Sequence, residues 1–416
     1  MLQPFRAAQR LDQVRYDIRG PLHARAGELE AEGHHITRLH IGNPALFGFE
    51  APAHLREAIA SRLPEAEAYC HQQGLMVARE AVAQIQSERG VAGAHPDQVF
   101  IGNGVSELID LSLRALVENG DEVLLPAPDY PLWSAAVLLN GGKPVYYGCP
   151  PERQGLPDPE EIEALIGPRT RALVLINPNN PTGAVYPKAL LERLVRLAER
   201  FGLMIFSDEI YESLTYDGAQ FHPIAPMVRD TLCVTLSGLS KVHRACGYRA
   251  GWLAVSGLLR PARDFLRGLN LLAALRLCSN VPAQWAVVAA LTGPDTHSEL
   301  VSPGGRLARS RQAVVDAVAD SRFLRCNPPQ GAIYAFPGVD TERLPGFDDE
   351  RFAMDLLEHK HILVVPGSSF NVAYRNHFRI TLLPDAQTMR ASLSAIEEVL
   401  ERQAAQLAPS KAVVAA

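Results

Sequence analysis

Two apolar patterns alternate along the middle of the chain. Short dense runs occur at Val99-Phe100-Ile101, Glu122 to Leu125, Val145-Tyr146-Tyr147, Ala172 to Ile176, Leu203 to Phe206, Leu232 to Leu236 and Trp252 to Val255. Their length and β-branched or aromatic content predict buried strands. Between them, stretches near 52–62, 75–89, 105–118, 130–140, 158–166 and 187–201 carry the helical spacing of apolar positions. Strand–helix alternation of this kind predicts an α/β fold whose mostly parallel sheet has helices on both faces. Ahead of it, residues 1–20 read as an arm that Gly20-Pro21 stops, followed by a helix (22–32) and a short strand from Arg38 to Ile41. Beyond it, one long helical stretch is expected over 259–292. A second block follows, with helices at 305–320, 349–360 and 386–403 and strands near 323–326, 332–336, 362–365 and 378–380. We therefore expect an arm (1–20), a large domain (47–299) and a smaller α/β domain built from 21–46 and 300–416, with a fraying alanine-rich tail from Gln403.

Composition narrows the function classes. The chain has 416 residues, 47% apolar and 21% charged, which suits one large and one smaller globular unit. A net charge of −6 leaves no basic footprint for nucleic acid or an anionic membrane. The longest apolar stretch, Leu269 to Leu291, is interrupted by Arg276 and Gln284, so it reads as a buried helix and not a membrane span. Residues Met1 to Arg10 lack the apolar core of a signal peptide. Six scattered cysteines with no Cys-x-x-Cys pair read as reduced thiols of a cytosolic protein, and no metal site is expected.

Candidate chemistry centres on Ser237-Gly238-Leu239-Ser240-Lys241, just after an apolar run, with Arg249 eight residues further on. A lysine in a dry site can act as an amine nucleophile toward an aldehyde, and an arginine fork suits a phosphate. Aldehyde and phosphate in one ligand point to pyridoxal 5′-phosphate. Taken alone, such a lysine is more often a surface loop residue. Yet only five of the 40 basic residues are lysine, and guanidinium cannot do this chemistry.

Other strand ends, where open sheets bind ligands, carry compatible groups. Gly102-Asn103-Gly104-Val105-Ser106 opens a helix, so it is either a phosphate cradle or a plain turn capped by Ser106. Tyr130, in Pro126-Ala127-Pro128-Asp129-Tyr130-Pro131, is either a ring-stacking residue or a core tyrosine. Asn180 lies in a rigid polar turn, 177–183, that would present an amide donor or serve structure only. Asp208 and Tyr211 follow Leu203 to Phe206, where a carboxylate suits a protonated pyridine nitrogen or merely caps a helix.

These stretches resemble the pyridoxal-phosphate-dependent aminotransferases of fold type I, class I/II, from about Tyr16 to about Leu400. Within that family the chain is most similar to the bacterial glutamate–pyruvate (alanine) aminotransferases. The stretches that carry the likeness are 16–21, 41–45, 101–109, 126–133, 177–186, 208–211 and 238–241. The resemblance implies that Lys241 binds the cofactor aldehyde and later moves the substrate proton, while Asp208 pairs with the ring nitrogen. It implies that Asn180 and Tyr211 hydrogen-bond the ring hydroxyl oxygen and that Tyr130 stacks on the ring. Gly104, Val105, Ser106 and Arg249 would hold the phosphate, supplemented by Ser237 or Ser240, because Gly238 stands where many relatives have serine. Tyr69 would reach the phosphate of a neighbouring subunit in a homodimer with shared sites. Arg379 would grip the substrate α-carboxylate, helped by Asn180 and the backbone of Gly42. Arg19, with Tyr16 beside it, is the candidate for the second carboxylate of glutamate.

The implied substrates are an amino acid and a 2-oxo acid. Two other readings use the same cofactor: an eliminating enzyme of C–S lyase type, and a regulatory module. Stretches 16–21 and 126–133 favour transamination over elimination, and the lack of a basic patch or an added DNA-binding segment disfavours a regulator. A role in specialised amino-acid biosynthesis stays open.

Overall fold

The computed structural model describes residues 5–15 and 20–407. Seven strands form the central sheet in the spatial order Val99–Gly102, Gly251–Gly257, Leu232–Gly238, Met204–Asp208, Thr170–Ile176, Glu122–Ala127, Lys143–Gly148. Six run in one direction, and only Gly251–Gly257 is antiparallel to both its neighbours. The mostly parallel sheet expected from the alternation is present, so the carboxyl ends of six strands open on one edge.

Strand residues alternate between two cores, as a pleated strand requires. Ala172, Val174 and Ile176 face a layer with Phe100, Leu108, Trp133 and Phe206. Leu173 and Leu175 face the opposite layer with Tyr147, Leu194 and Ile205. Helix Lys188–Phe201 buries Leu191, Leu194, Val195, Leu197 and Ala198 on one side and ends at Gly202, whose φ of 64° suits a residue without Cβ.

A third core gathers helices Arg306–Asp320, Asp349–Lys360 and Ala386–Leu407 with short strands. Phe378–Thr381 pairs antiparallel with Tyr334–Ala335 and Val365–Pro366. The strand near the start of the chain is shorter than expected, only Thr37–Arg38, and pairs parallel with Ile362–Leu363. This core continues without a gap into Ile210, Tyr211, Leu214, Tyr216 and Val242.

One expectation is corrected. The stretch 259–292 is two helices, Arg263–Leu275 and Val281–Thr292, and not one. Leu277 takes a φ of 69°, Asn280 caps the second helix by accepting from Ala283 N at 3.1 Å, and Pro282 stands in its first turn, where a missing N–H costs nothing. The last helix also runs to Leu407, past the expected fraying point. No helix of the described residues is long and apolar enough to cross a membrane.

Candidate active site

Along the open edge of the sheet lies a cleft of about 500 Å³, walled by strand ends on one side and by Gly42, Tyr334 and Arg379 on the other. Three groups of residues give it distinct ends.

The first end has the groups that can take an anion. Gly104, with φ 87°, precedes helix Val105–Leu116 and offers no side-chain cap, so the first amides of the helix stay open where Val105 and Ser106 line the cleft. A Cβ on Gly104 would lie 2.5 Å from Arg249 Nη2, so only glycine lets the guanidinium approach this turn. Arg249 is steadied by donating to Cys246 O at 3.0 Å and to Asn103 O at 3.2 Å. Its own carbonyl accepts from Asn280, in the break between the two helices, at 3.0 Å. Ser240 lines the cleft here. Ser237 is buried within its strand, and Gly238 has no room for a side chain, because a Cβ would meet Gly251 Cα at 2.8 Å and Ala250 O at 2.9 Å.

The middle holds an amine and a buried carboxylate. Lys241 Nζ donates to Gly42 O at 2.6 Å. Asp208, the last residue of its strand, is 3% exposed. Its oxygens accept from Trp133 Nε1 at 3.2 Å and from Ile210 N at 3.3 Å. Burial pushes this carboxyl up to about 6, with Trp133, Ile210 and Lys241 pulling the other way. Half-buried Tyr130 forms part of the wall at the start of helix Pro131–Leu139. Tyr211 is buried, which pushes its phenol up, and its hydroxyl donates to that of Tyr334 at 3.4 Å.

The far end is a cation without a counter-charge. Arg379 sits on Phe378–Thr381 and is 2% exposed. Nη1 donates to Asn180 Oδ1 at 3.1 Å and Nη2 to His40 O at 2.5 Å, while Nε has no hydrogen-bond partner among the described residues. The guanidinium lies 4.3 Å from the Tyr334 ring centre and 5.0 Å from that of Phe370. Burial and the nearby Arg38 and Arg379 hold His40 down to about 3, so its imidazole stays neutral and adds no second positive charge beside Arg379. Among the described residues, no carboxylate pairs with this guanidinium. A buried, unpaired cation is costly, and an incoming carboxylate relieves that cost.

The cleft thus gathers Gly42, Val105, Ser106, Tyr130, Asn180, Asp208, Tyr211, Ser240, Lys241, Arg249 and Arg379, with Gly104 directly behind. Tyr69 is 78% exposed and lies outside the cleft lining of this chain. Tyr16 and Arg19 lie outside the described residues. Sequence reasoning missed Tyr334, Trp133 and Cys246. Tyr334 meets Tyr211, Trp133 holds Asp208, and Cys246 donates its thiol hydrogen to Asn43 Oδ1 at 3.2 Å. A polar atom on an aromatic residue beside the polar turn at 42–43 or the strand-end carboxylate was the only available signal.

Pyridoxal phosphate would bring a phosphate, an aldehyde and a basic ring nitrogen. Open helix amides with Arg249, the amine of Lys241 and a buried Asp208 that makes no ion pair among the described residues match those three groups in turn. The residues fit the group.

The Aminotransferase class I and II family model matches residues 34–396. The glutamate-pyruvate aminotransferase AlaA of Escherichia coli K12 is 45% identical over 393 residues, 94% of this chain and 97% of that protein. The alanine aminotransferase of Mycobacterium tuberculosis H37Rv is 45% identical over 397 residues, covering 95% and 92%. Among solved structures, an aminotransferase from Escherichia coli superposes with a TM-score of 0.94 at 44% identity, over 96% of this chain and 99% of that one. The alanine aminotransferase of Pyrococcus furiosus gives 0.90 at 34% identity, over 95% and 100%.

Proposed function

The chain belongs to the class I and II aminotransferases, fold type I enzymes that use pyridoxal phosphate, and from that premise we propose that it moves the amino group between glutamate and pyruvate, yielding 2-oxoglutarate and alanine. Support for this pair comes from the identity of 45% to a glutamate-pyruvate aminotransferase and to an alanine aminotransferase. The observation that carries the reading is Arg379, a buried cation with only neutral partners, in the same cleft as Lys241.

Bound pyridoxal phosphate supplies an electron sink that weakens bonds at the amino acid Cα. The chain's own groups do the rest in this reading. Lys241 would hold the cofactor through its aldehyde carbon; once the substrate amino group displaces it there, the freed Nζ would take the proton from the substrate Cα and hold it for return. Asp208 keeps the ring nitrogen protonated, and Asn180 and Tyr211 donate to the ring oxygen. Tyr130 stacks on the ring, while Gly104, Val105, Ser106, Ser240 and Arg249 hold the phosphate. Arg379 holds the α-carboxylate with Asn180 and the Gly42 backbone. A division into an arm (1–20), a small domain (21–46 with 300–416) and a large one (47–299) puts Arg379 and Lys241 on opposite walls. The site is tested by Lys241→Ala. The variant is expected to fold, lose the borohydride-reducible link to the cofactor and transaminate negligibly. A labelled peptide containing Lys143, Lys188, Lys360 or Lys411 instead would sink the assignment.

Arg19, with Tyr16, is proposed to meet the second carboxylate of glutamate, since Arg379 is committed to the first. A charge-assisted hydrogen bond contributes roughly 1.5–3 kcal/mol, so Arg19→Ala should cost glutamate about tenfold to a hundredfold in kcat/KM and spare alanine. Equal losses for both substrates would remove that role. In the same reading the active form is a cytoplasmic homodimer in which Tyr69 of one subunit completes the phosphate end of the other.

A further inference from the structure

Tyr334 belongs to the short strand Tyr334–Ala335, inside an apolar run that by itself asks only for a core residue. It is 3% exposed and its two faces of chemistry point at two different parts of the cleft. The ring lies under Arg379, 4.3 Å from ring centre to guanidinium carbon. Its hydroxyl is 3.4 Å from that of Tyr211, with the rings edge to face at 80°. Space for this hydroxyl exists only because position 42 is glycine, as a Cβ there would overlap it. The carbonyl of that same glycine accepts from Lys241.

We propose that Tyr334 is a positioning residue for both ends of the cleft at once: its ring face fixes the Arg379 guanidinium for the substrate carboxylate, and its hydroxyl fixes the Tyr211 hydroxyl for the cofactor ring oxygen. The hydroxyl half rests on the pyridoxal phosphate reading above; the ring half does not. A guanidinium with no counter-charge gains from the negative face of an aromatic ring, and here Phe370 at 5.0 Å closes the other side. Each phenol can donate or accept. When Tyr211 turns its proton into the cleft, Tyr334 takes over as donor to the Tyr211 oxygen. The field of the cleft supports that direction. Burial raises both phenols, but Lys241, Arg379 and the Tyr211 hydroxyl bring Tyr334 below its ordinary value, while Tyr211 stays above.

Two variants of the full-length, cofactor-loaded enzyme separate the halves. Tyr334→Phe keeps the ring and loses the hydroxyl; Tyr334→Leu loses both. The first readout is the pH titration of cofactor absorbance, and the second is the Kd of propanoate, a carboxylate without an amino group to react. Tyr334→Phe is expected to raise the absorbance midpoint by roughly half a pH unit or more, the size of one hydrogen bond, with propanoate binding within about twofold. Tyr334→Leu is expected to weaken propanoate by roughly threefold to thirtyfold. An unmoved midpoint in the Phe variant, or unmoved propanoate binding in a folded Leu variant, overturns the proposal. If the Leu variant does not fold, the Phe variant decides: its midpoint must shift while propanoate binding holds. A parent enzyme that shows no lysine-linked absorbance band would instead count against the cofactor reading, and propanoate binding to the unloaded protein would still test the ring half.

Discussion

Asp208 is a buried carboxylate that accepts from two donors and, among the described residues, makes no ion pair. In the folded protein without cofactor it keeps its proton up to about 6, whereas an unfolded chain releases it near the ordinary value of about 3.9. Across that window the folded state binds more protons, so Asp208 makes the unloaded protein less stable as pH rises from about 4 to about 6. In the proposed pairing, a protonated ring nitrogen would remove that cost. The gain in Tm on adding cofactor should therefore grow over pH 4–6 and then level off, and Asp208→Asn should flatten the trend. Melting curves of loaded and unloaded protein measure the difference, in which Asp129 and Glu209, also buried and pushed up to about 7, largely cancel. A gain that shrinks as pH rises would contradict the pairing. Asp208 and Lys241 were legible because a carboxylate at a strand end and a rare lysine are conspicuous. Tyr334 and Trp133 were not, since an aromatic in an apolar run satisfies a core equally well. What singles them out is a hydroxyl or N–H aimed at a partner 75 or 123 residues away.

At the scale of elements, the anion end depends on how tightly two strands press against one helix start. Gly238 and Gly251 face each other in the antiparallel pair, and a Cβ on Gly251 would come 2.9 Å from Val105 N and 3.1 Å from Gly104 C. Those atoms are backbone and cannot swing away. Gly251→Ala is expected to weaken cofactor retention at least tenfold by fluorescence titration. Gly268→Ala is the contrast, because its Cβ meets only Ala115 Cβ at 3.8 Å within a helix. That change should leave retention alone and stabilise the fold by roughly 0.5–1 kcal/mol. Retention that survives Gly251→Ala would show the helix start to be forgiving. Strands and helices of the large sheet were legible from the apolar pattern, since every strand but the edge one, Lys143–Gly148, is largely buried on both faces. The break at 276–280 was not: Arg276 reaches Ile101 O at 2.8 Å and Asn280 reaches Arg249, contacts that outweigh helix continuity and exist only in the folded chain.

Over the whole molecule, apolar side chains are left uncovered near the anion end. Leu271 and Leu275, one turn apart on helix Arg263–Leu275, are 61% and 74% exposed, and Leu277 and Tyr69 are exposed as well. A second copy of the chain covering this region accords with the proposed homodimer. Mixing Tyr69→Ala and Lys241→Ala subunits should then restore activity, because each mixed dimer holds one site with both lesions and one with neither. Recovery of up to half the parental activity per mixed dimer is expected. No recovery after verified subunit exchange would mean that Tyr69 serves its own chain. Fold class was readable at this scale because alternation of strand and helix leaves few packings; the homodimer came only from the family resemblance, since periodicity does not say which leucines remain outside.

Arg379 closes on the carbonyl of His40 across 339 residues of chain, and Thr37–Arg38 pairs with Ile362–Leu363. On the ribosome this separation becomes a delay. Every strand of the central sheet, with Lys241 and Arg249, leaves the exit tunnel well before residue 379 does. A nascent chain can thus assemble the anion end while the grip for the substrate carboxylate is still being translated. In the proposed reading, synthesis therefore delivers this chain's own groups for the cofactor before the grip for the substrate carboxylate is complete.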